Sequence, residues 1–143
     1  MVATKTIRGY ELREQIGKGG FGIVYRAYQP IVDREVAIKV ILPEFVNNPD
    51  FVRNFEMEAQ LIARLAHPFV VPLFDYWREP DGAYLVMRFL PGGIWRNLLK
   101  HDEPVPAERV AQMLLQVSAA LDAAHRAQII HRDIKPEKYP LRR

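Results

Sequence analysis

Four of the eight glycines fall within six residues, in the run Gly17-Lys18-Gly19-Gly20-Phe21-Gly22. With Val24 the run matches G-x-G-x-x-G-x-V. Backbone without Cβ atoms can close over a phosphate and donate N–H groups to it. Two other phosphate-binding turns share such a pattern, and the flanks argue against both. A dinucleotide-binding turn must open a helix, whereas Ile23 to Gln29 is strand-like and runs into Pro30. A Walker loop needs Lys and Ser or Thr after its last glycine, and here Ile23 and Val24 follow. A glycine-rich hairpin remains, and taken alone it serves equally well as a flexible turn with no ligand.

A lysine and a glutamate also stand where charge is costly. Lys39 interrupts the apolar run Val36-Ala37-Ile38-Lys39-Val40; a solvated lysine on an outer strand face is the plain explanation. The helix pattern that follows argues otherwise. At about 100° per residue, Phe51, Phe55, Ile62 and Leu65 share a stripe roughly 80° wide, and Glu58 lies inside it. A carboxylate on a buried helix face costs on the order of several kcal/mol unless it is paired. Lys39 is the candidate partner, and a lysine held in this way can be aimed at phosphate oxygens. Glu56 falls outside the stripe and is expected to be solvated. A third cluster, His131-Arg132-Asp133-Ile134-Lys135-Pro136-Glu137, contains by itself only a loop carboxylate.

The elements that must position these residues are legible from pattern. Tyr10–Ile16, Ile23–Gln29, Arg34–Leu42, Phe69–Trp77 and Ala83–Leu90 are strand-like, with turns at Pro30–Asp33 and Glu79–Gly82. Residues 47–66 predict a helix: Asn48 can cap it, Pro49 takes its first position, Asp50 suits its first turn, and His67-Pro68 ends it. A glycine break near Met87 to Gly92 precedes a long helix over residues 106–128. In that helix Val110, Met113, Leu114, Val117, Leu121 and Ala124 form one apolar stripe, and Leu115 with Ala111 a second patch. The sum is five strands with one inserted helix, a hinge, and the start of a helical region.

Composition limits the alternatives. The 143 residues are 49% hydrophobic and 26% charged, as in a globular domain. There is no cysteine, which removes disulfide and thiolate chemistry. The first residues lack the apolar core of a secretory signal, and no apolar run approaches the ~20 residues of a membrane span. A cytoplasmic location is therefore expected. The net charge of +3 resides in Lys138, Arg142 and Arg143, since the rest of the chain balances 17 Asp and Glu with as many Lys and Arg. A solvated basic tail is not a nucleic-acid face, and no nucleic-acid partner is expected.

In order, "GKGGFGIV", "VAIK", a helix glutamate, "YLVMRFLPGG" and "HRDIKPE" resemble the N-terminal half of a protein kinase domain. The chain is most similar to bacterial serine/threonine kinases of the eukaryotic-like type, over about Tyr10 to Glu137. The resemblance implies an α+β fold: a five-stranded antiparallel small lobe with one helix, a hinge, and the first helices of an incomplete helical large lobe. It divides the chain into an extension (1–9), a small lobe (10–87), a hinge (88–93), the start of the large lobe (94–137) and an aberrant tail (138–143).

It also implies ATP and Mg2+ as cofactors, and a protein substrate. Ile16, Val24 and Ala37 would enclose the adenine, and Gly17, Lys18, Gly19, Gly20, Phe21 and Gly22 would cover the phosphates. Lys39, held by Glu58, would contact the α- and β-phosphates. Met87 would be the gatekeeper, with the backbone of Arg88, Phe89 and Leu90 on the adenine edge. Asp133 would accept the substrate hydroxyl proton, Lys135 would neutralise the transferred phosphoryl group, and Arg132 resembles kinases switched by activation-loop phosphorylation. His131 would be structural.

Two departures bear on activity. Arg88 stands where many kinases have Glu, with little consequence because backbone does the binding there. Lys138 stands where the family has a magnesium-ligating Asn, and a protonated lysine repels the metal. The Asp of D-F-G, the second metal ligand, would follow Arg143. The expectation is a kinase by family whose 143 residues alone transfer little phosphate, with an exposed apolar patch on the long helix. A single-base insertion in codons for the family's usual "KPENILLD" would produce the "KYPLR" seen here. The alternative is a non-catalytic nucleotide-binding or interaction module.

Overall fold

Runs rich in Val, Ile and Tyr form the strands, and the Gly, Pro and Asp positions between them form the turns. A computed structural model describes residues 4–92 and 103–128, without the side chains of Glu58 and Leu61. The chain divides into two units, Met1–Arg64 with Val71–Phe89, and Leu65–Val70 with Leu90–Arg143.

The first unit holds six strands: β1 (Thr6–Ile7), β2 (Tyr10–Lys18), β3 (Gly22–Gln29), β4 (Arg34–Ile41), β5 (Leu73–Glu79) and β6 (Gly82–Arg88). They form one antiparallel sheet in the order β1-β2-β3-β4-β6-β5. Five strands were expected. The sixth, β1, lies in the segment assigned as an N-terminal extension, and Ile7 pairs with Tyr10 across a two-residue turn. Arg8 and Gly9 both have positive φ there, 47° and 84°, as the tight hairpin turn matching strand twist requires. β5 begins at Leu73 rather than Phe69, and β6 ends at Arg88.

Alternation along β4 separates two cores. Val36 and Ile38, both 0% exposed, join Tyr10, Ala27, Trp77, Tyr84 and Val86 in the first. Burying one such aliphatic side chain stabilises the fold by about 1.5–3 kcal/mol. Trp77 stacks between Tyr10 and Tyr84, with centroids 5.9 and 5.1 Å away. Arg8 lies 5.1 Å over the Trp77 ring and 3.5 Å from Glu79, so the β1–β2 turn meets the far edge strand β5 and the sheet curls.

On the other face of β4, Ile41 packs with Val46 and Ala83 in the second core, flanked by Phe45, Phe51, Phe55, Tyr76 and Leu85. Its cover comes from α1 (Pro43–Val46) and α2 (Pro49–Arg64), two helices where one was expected. The Asn48 side chain accepts from the N–H groups of Asp50 (3.1 Å) and Phe51 (3.3 Å), capping α2 as its sequence predicts.

In the second unit the described helix is α3 (Ala107–Arg126). Asp122 and Arg126 pair at 3.1 Å across one turn. Val110, Met113, Val117, Leu121 and Ala124 are half-buried, while Leu114 and Leu115 are 55% and 73% exposed. The exposed apolar patch expected on this helix thus comprises Leu114 and Leu115, with Ala111 beside them. Among the described residues, no helix is long and apolar enough to cross a membrane.

Candidate functional site

The glycine-rich run is the β2–β3 hairpin. Gly17 pairs with Val24 and Lys18 with Ile23, after two irregularities in β2 between Leu12 and Gly17. The Gly19 N–H donates to the Gly22 carbonyl at 2.9 Å, closing the tip. The glycines are not equivalent. A Cβ on Gly22 would lie 2.2 Å from the Val40 carbonyl oxygen, so sheet packing alone requires glycine there. A Cβ on Gly19 or Gly20 would meet nothing within 4 Å. The open side of the hairpin is therefore its tip. Ile16 and Phe21, on either side, are 46% and 51% exposed.

Strand register gathers the expected nucleotide residues onto one face. Val24 pairs with Lys39, and Lys39 with Leu85; two residues along, Arg26 pairs with Ala37, and Ala37 with Met87. Residues opposite one another in a ladder project to the same side. Val24, Ala37, Lys39 and Met87 thus share a face, with Gly17 beside Val24. Lys39 is half-buried rather than fully solvated, and Ala37 is buried. Farther along, Arg26 bonds Glu14 at 2.8 Å and also reaches Glu35. The Arg26 hydrogen bond holds the Glu14 carboxyl below its usual range. At the end of β6 the Arg88 N–H donates to the Pro72 carbonyl at 3.2 Å. That amide is directed at its own chain, which leaves the expected adenine-edge contacts to the Arg88 carbonyl and to Phe89 and Leu90.

Helix α2 packs on a wider face than the expected stripe. Among its described side chains Val52 and Ala59 are buried, while Ile62 is 36% exposed. Phe51 and Phe55 of that stripe flank the second core as expected, and the packed face extends from them to Val52 and Ala59. Glu56 falls on this face instead of in solvent. It is half-buried, its Oε1 accepts from the Tyr76 hydroxyl at 3.0 Å, and the Arg78 guanidinium is 3.8 Å away. Burial first, then the bond to Glu56, pushes the Tyr76 phenol up to about 12. A recess of about 300 Å³ between α2 and β5 is lined by Glu56, Ala59, Gln60 and Phe74, among others, and by none of the expected site residues. The expected Lys39–Glu58 pair falls outside the described side chains; so do Asp133, Lys135 and Lys138. Among the described residues, no three His, Asp or Glu side chains are grouped to hold a metal.

The model of the protein kinase domain matches residues 10–138 of this chain. The chain belongs to the protein kinase family. Curated kinase relatives include a probable serine/threonine-protein kinase of Clostridium perfringens, 38% identical over 128 residues and 90% of this chain. The serine/threonine-protein kinase PrkC of Bacillus subtilis is 37% identical over 137 residues and 95% of the chain. The chain spans only 19% and 21% of the lengths of these two kinases. Crystal structures of the Mycobacterium tuberculosis PknI kinase domain superpose with TM-scores of 0.84 and 0.82 at 26% identity. They cover 99% of this chain, which covers 58% and 59% of theirs.

Sequence reasoning missed the Glu56–Tyr76 pair in this kinase chain. Its signal was the small-residue pair Val52 and Ala59, which lies on the same side of α2 as Glu56.

Proposed function

We propose that the chain binds ATP on the sheet unit beneath the glycine-rich hairpin, as part of a serine/threonine protein kinase. The observation that supports this best is the ladder placing Val24, Ala37, Lys39 and Met87 on one face beside Gly17. Apolar side chains that could flank a base and a half-buried cation that could meet phosphates follow one another along that face. Room at Gly19 and Gly20 lets backbone approach the phosphates.

ATP would supply the phosphoryl group. Ile16, Val24, Ala37 and Met87 would hold the base, and the backbone of Arg88 to Leu90 its edge. Lys39 would fix the α- and β-phosphates from its place on β4, held by Glu58. Asp133 would take the proton of a protein Ser or Thr hydroxyl as that oxygen bonds the γ-phosphorus and ADP leaves with the bridging oxygen. Lys135 would neutralise charge on the transferred group. The residues present do not fit magnesium: Lys138 occupies the ligand position and offers no lone pair when protonated.

Lys138 favours a second reading, a nucleotide-binding module of the kinase family with little or no transfer. A radiolabelled-phosphate assay on a generic basic substrate separates the two. Transfer by the wild type that is abolished in Asp133→Asn supports the enzyme. ATP-dependent thermal stabilisation without transfer supports the binding module. No response to ATP in either assay contradicts both.

A further inference from the structure

The loop tip and helix α2 are physically joined through residues to which the kinase reading gives no such role. Phe21 follows the two open glycines, and it is fixed twice. Its carbonyl accepts from the Leu42 N–H at 3.0 Å, at the residue that precedes α1. Its ring meets Phe45 of α1 edge-on at 5.0 Å and Phe51 of α2 at a tilt at 5.5 Å. Contact continues from Phe45 to Phe51 at 5.3 Å, Phe51 to Phe55 at 5.7 Å and Phe55 to Tyr76 at 6.0 Å. It ends at the Tyr76 hydroxyl, which bonds Glu56 of α2. Five rings therefore run without a break from the glycine-rich loop, through both helices, to β5.

Helix α2 rests on α1 and β5, and α1 on β6. Gly22 is pressed against the Val40 carbonyl, so β3 cannot slide to free Phe21. Movement of the tip is left to Gly19 and Gly20.

We propose that Phe21 is a positioning residue: through this aromatic run it seats the glycine-rich loop and helix α2 together, so that displacing either loosens the other. For function the inference rests on the nucleotide reading, because α2 carries Glu58 and the loop would cover the phosphates. The coupling itself needs no nucleotide.

Hydrogen exchange on the nucleotide-free chain tests it. Phe21→Ala should speed exchange in the amides of residues 51–59 by about threefold to tenfold, as loss of ring contacts opens a local unit. Amides of the β4–β6 ladder should be unchanged, and Phe21→Tyr should restore protection. Reciprocally, Tyr76→Phe should speed exchange at Gly19. Unchanged exchange in α2, or an equal rise across the β4–β6 ladder, would overturn the proposal; the milder Tyr76→Phe arm decides if Phe21→Ala does not fold. A parallel ATP titration keeps the two readings apart. If the wild type does not bind ATP, the nucleotide reading falls while the exchange result still decides the coupling.

Discussion

The curled sheet and helix α3 are built from equally apolar sequence, yet they end in different states. In the sheet unit Ile38, Ile41, Val36 and Val86 are each completely buried. In α3, a helix of 20 residues, none is buried, and its two adjacent leucines, Leu114 and Leu115, are largely exposed. The sheet has enough surfaces to cover one another: a curled face closed by Trp77, and a second face closed by α1 and α2. An amphipathic helix has one stripe to bury against neighbours, and in α3 the described residues of that stripe are at most half-buried. The candidate ATP residues on β2, β3, β4 and β6 thus rest on a closed core.

The largest expected effect tests that contrast directly. Ile38→Ala should cost about 2–5 kcal/mol through lost burial and a residual cavity, whereas Leu115→Ala should stay within about 0.5 kcal/mol. Urea unfolding of both variants measures this; equal losses would erase the distinction between the two regions.

Next in size is a contrast inside the hairpin. Gly22→Ala should destabilise by about 1–3 kcal/mol, because its Cβ meets backbone that cannot yield. Gly20→Ala, with open space around it, should leave stability nearly unchanged. Thermal melts that rank the two variants the other way would show that the tip, not the strand, carries the packing constraint.

The smallest effect is a pH dependence. The Tyr76 phenol is raised from 10.0 to about 12 in the folded chain, so the fold holds this proton more tightly than the unfolded chain does. Its contribution is complete below pH 10 and is lost as pH rises toward about 12. Tyr76→Phe should flatten the alkaline arm of the stability curve and leave the neutral arm parallel to wild type. An unaltered alkaline slope would mean that burial and the bond to Glu56 do not raise the Tyr76 phenol in solution.

Much of the sheet unit was legible because its signals are local. Val/Ile-rich strands, the Asn48 cap and the glycine-rich hairpin each rest on a few neighbouring residues. What escaped was short or non-local. The two-residue β1 and four-residue α1 carry too little periodicity to register, although Arg8-Gly9 was a turn cue. The expected α2 stripe holds Phe51 and Phe55, which flank the core, but misses the small residues Val52 and Ala59 buried beside them. For that reason Glu56 was placed in solvent although it faces Tyr76. The division of labour among the glycines was hidden as well, since only the approach of β4 makes Gly22 a packing residue. The roles of Asp133, Lys135 and Lys138 rest on family motif, not on described geometry.

Calorimetric titration of ATP into the wild-type chain and Lys39→Met tests the central claim most directly. The account predicts saturable binding to the wild type. It predicts binding weaker by about tenfold or more in Lys39→Met, the scale of a lost charge-assisted hydrogen bond. Absence of binding to the wild type, or equal affinity in both proteins, would contradict it.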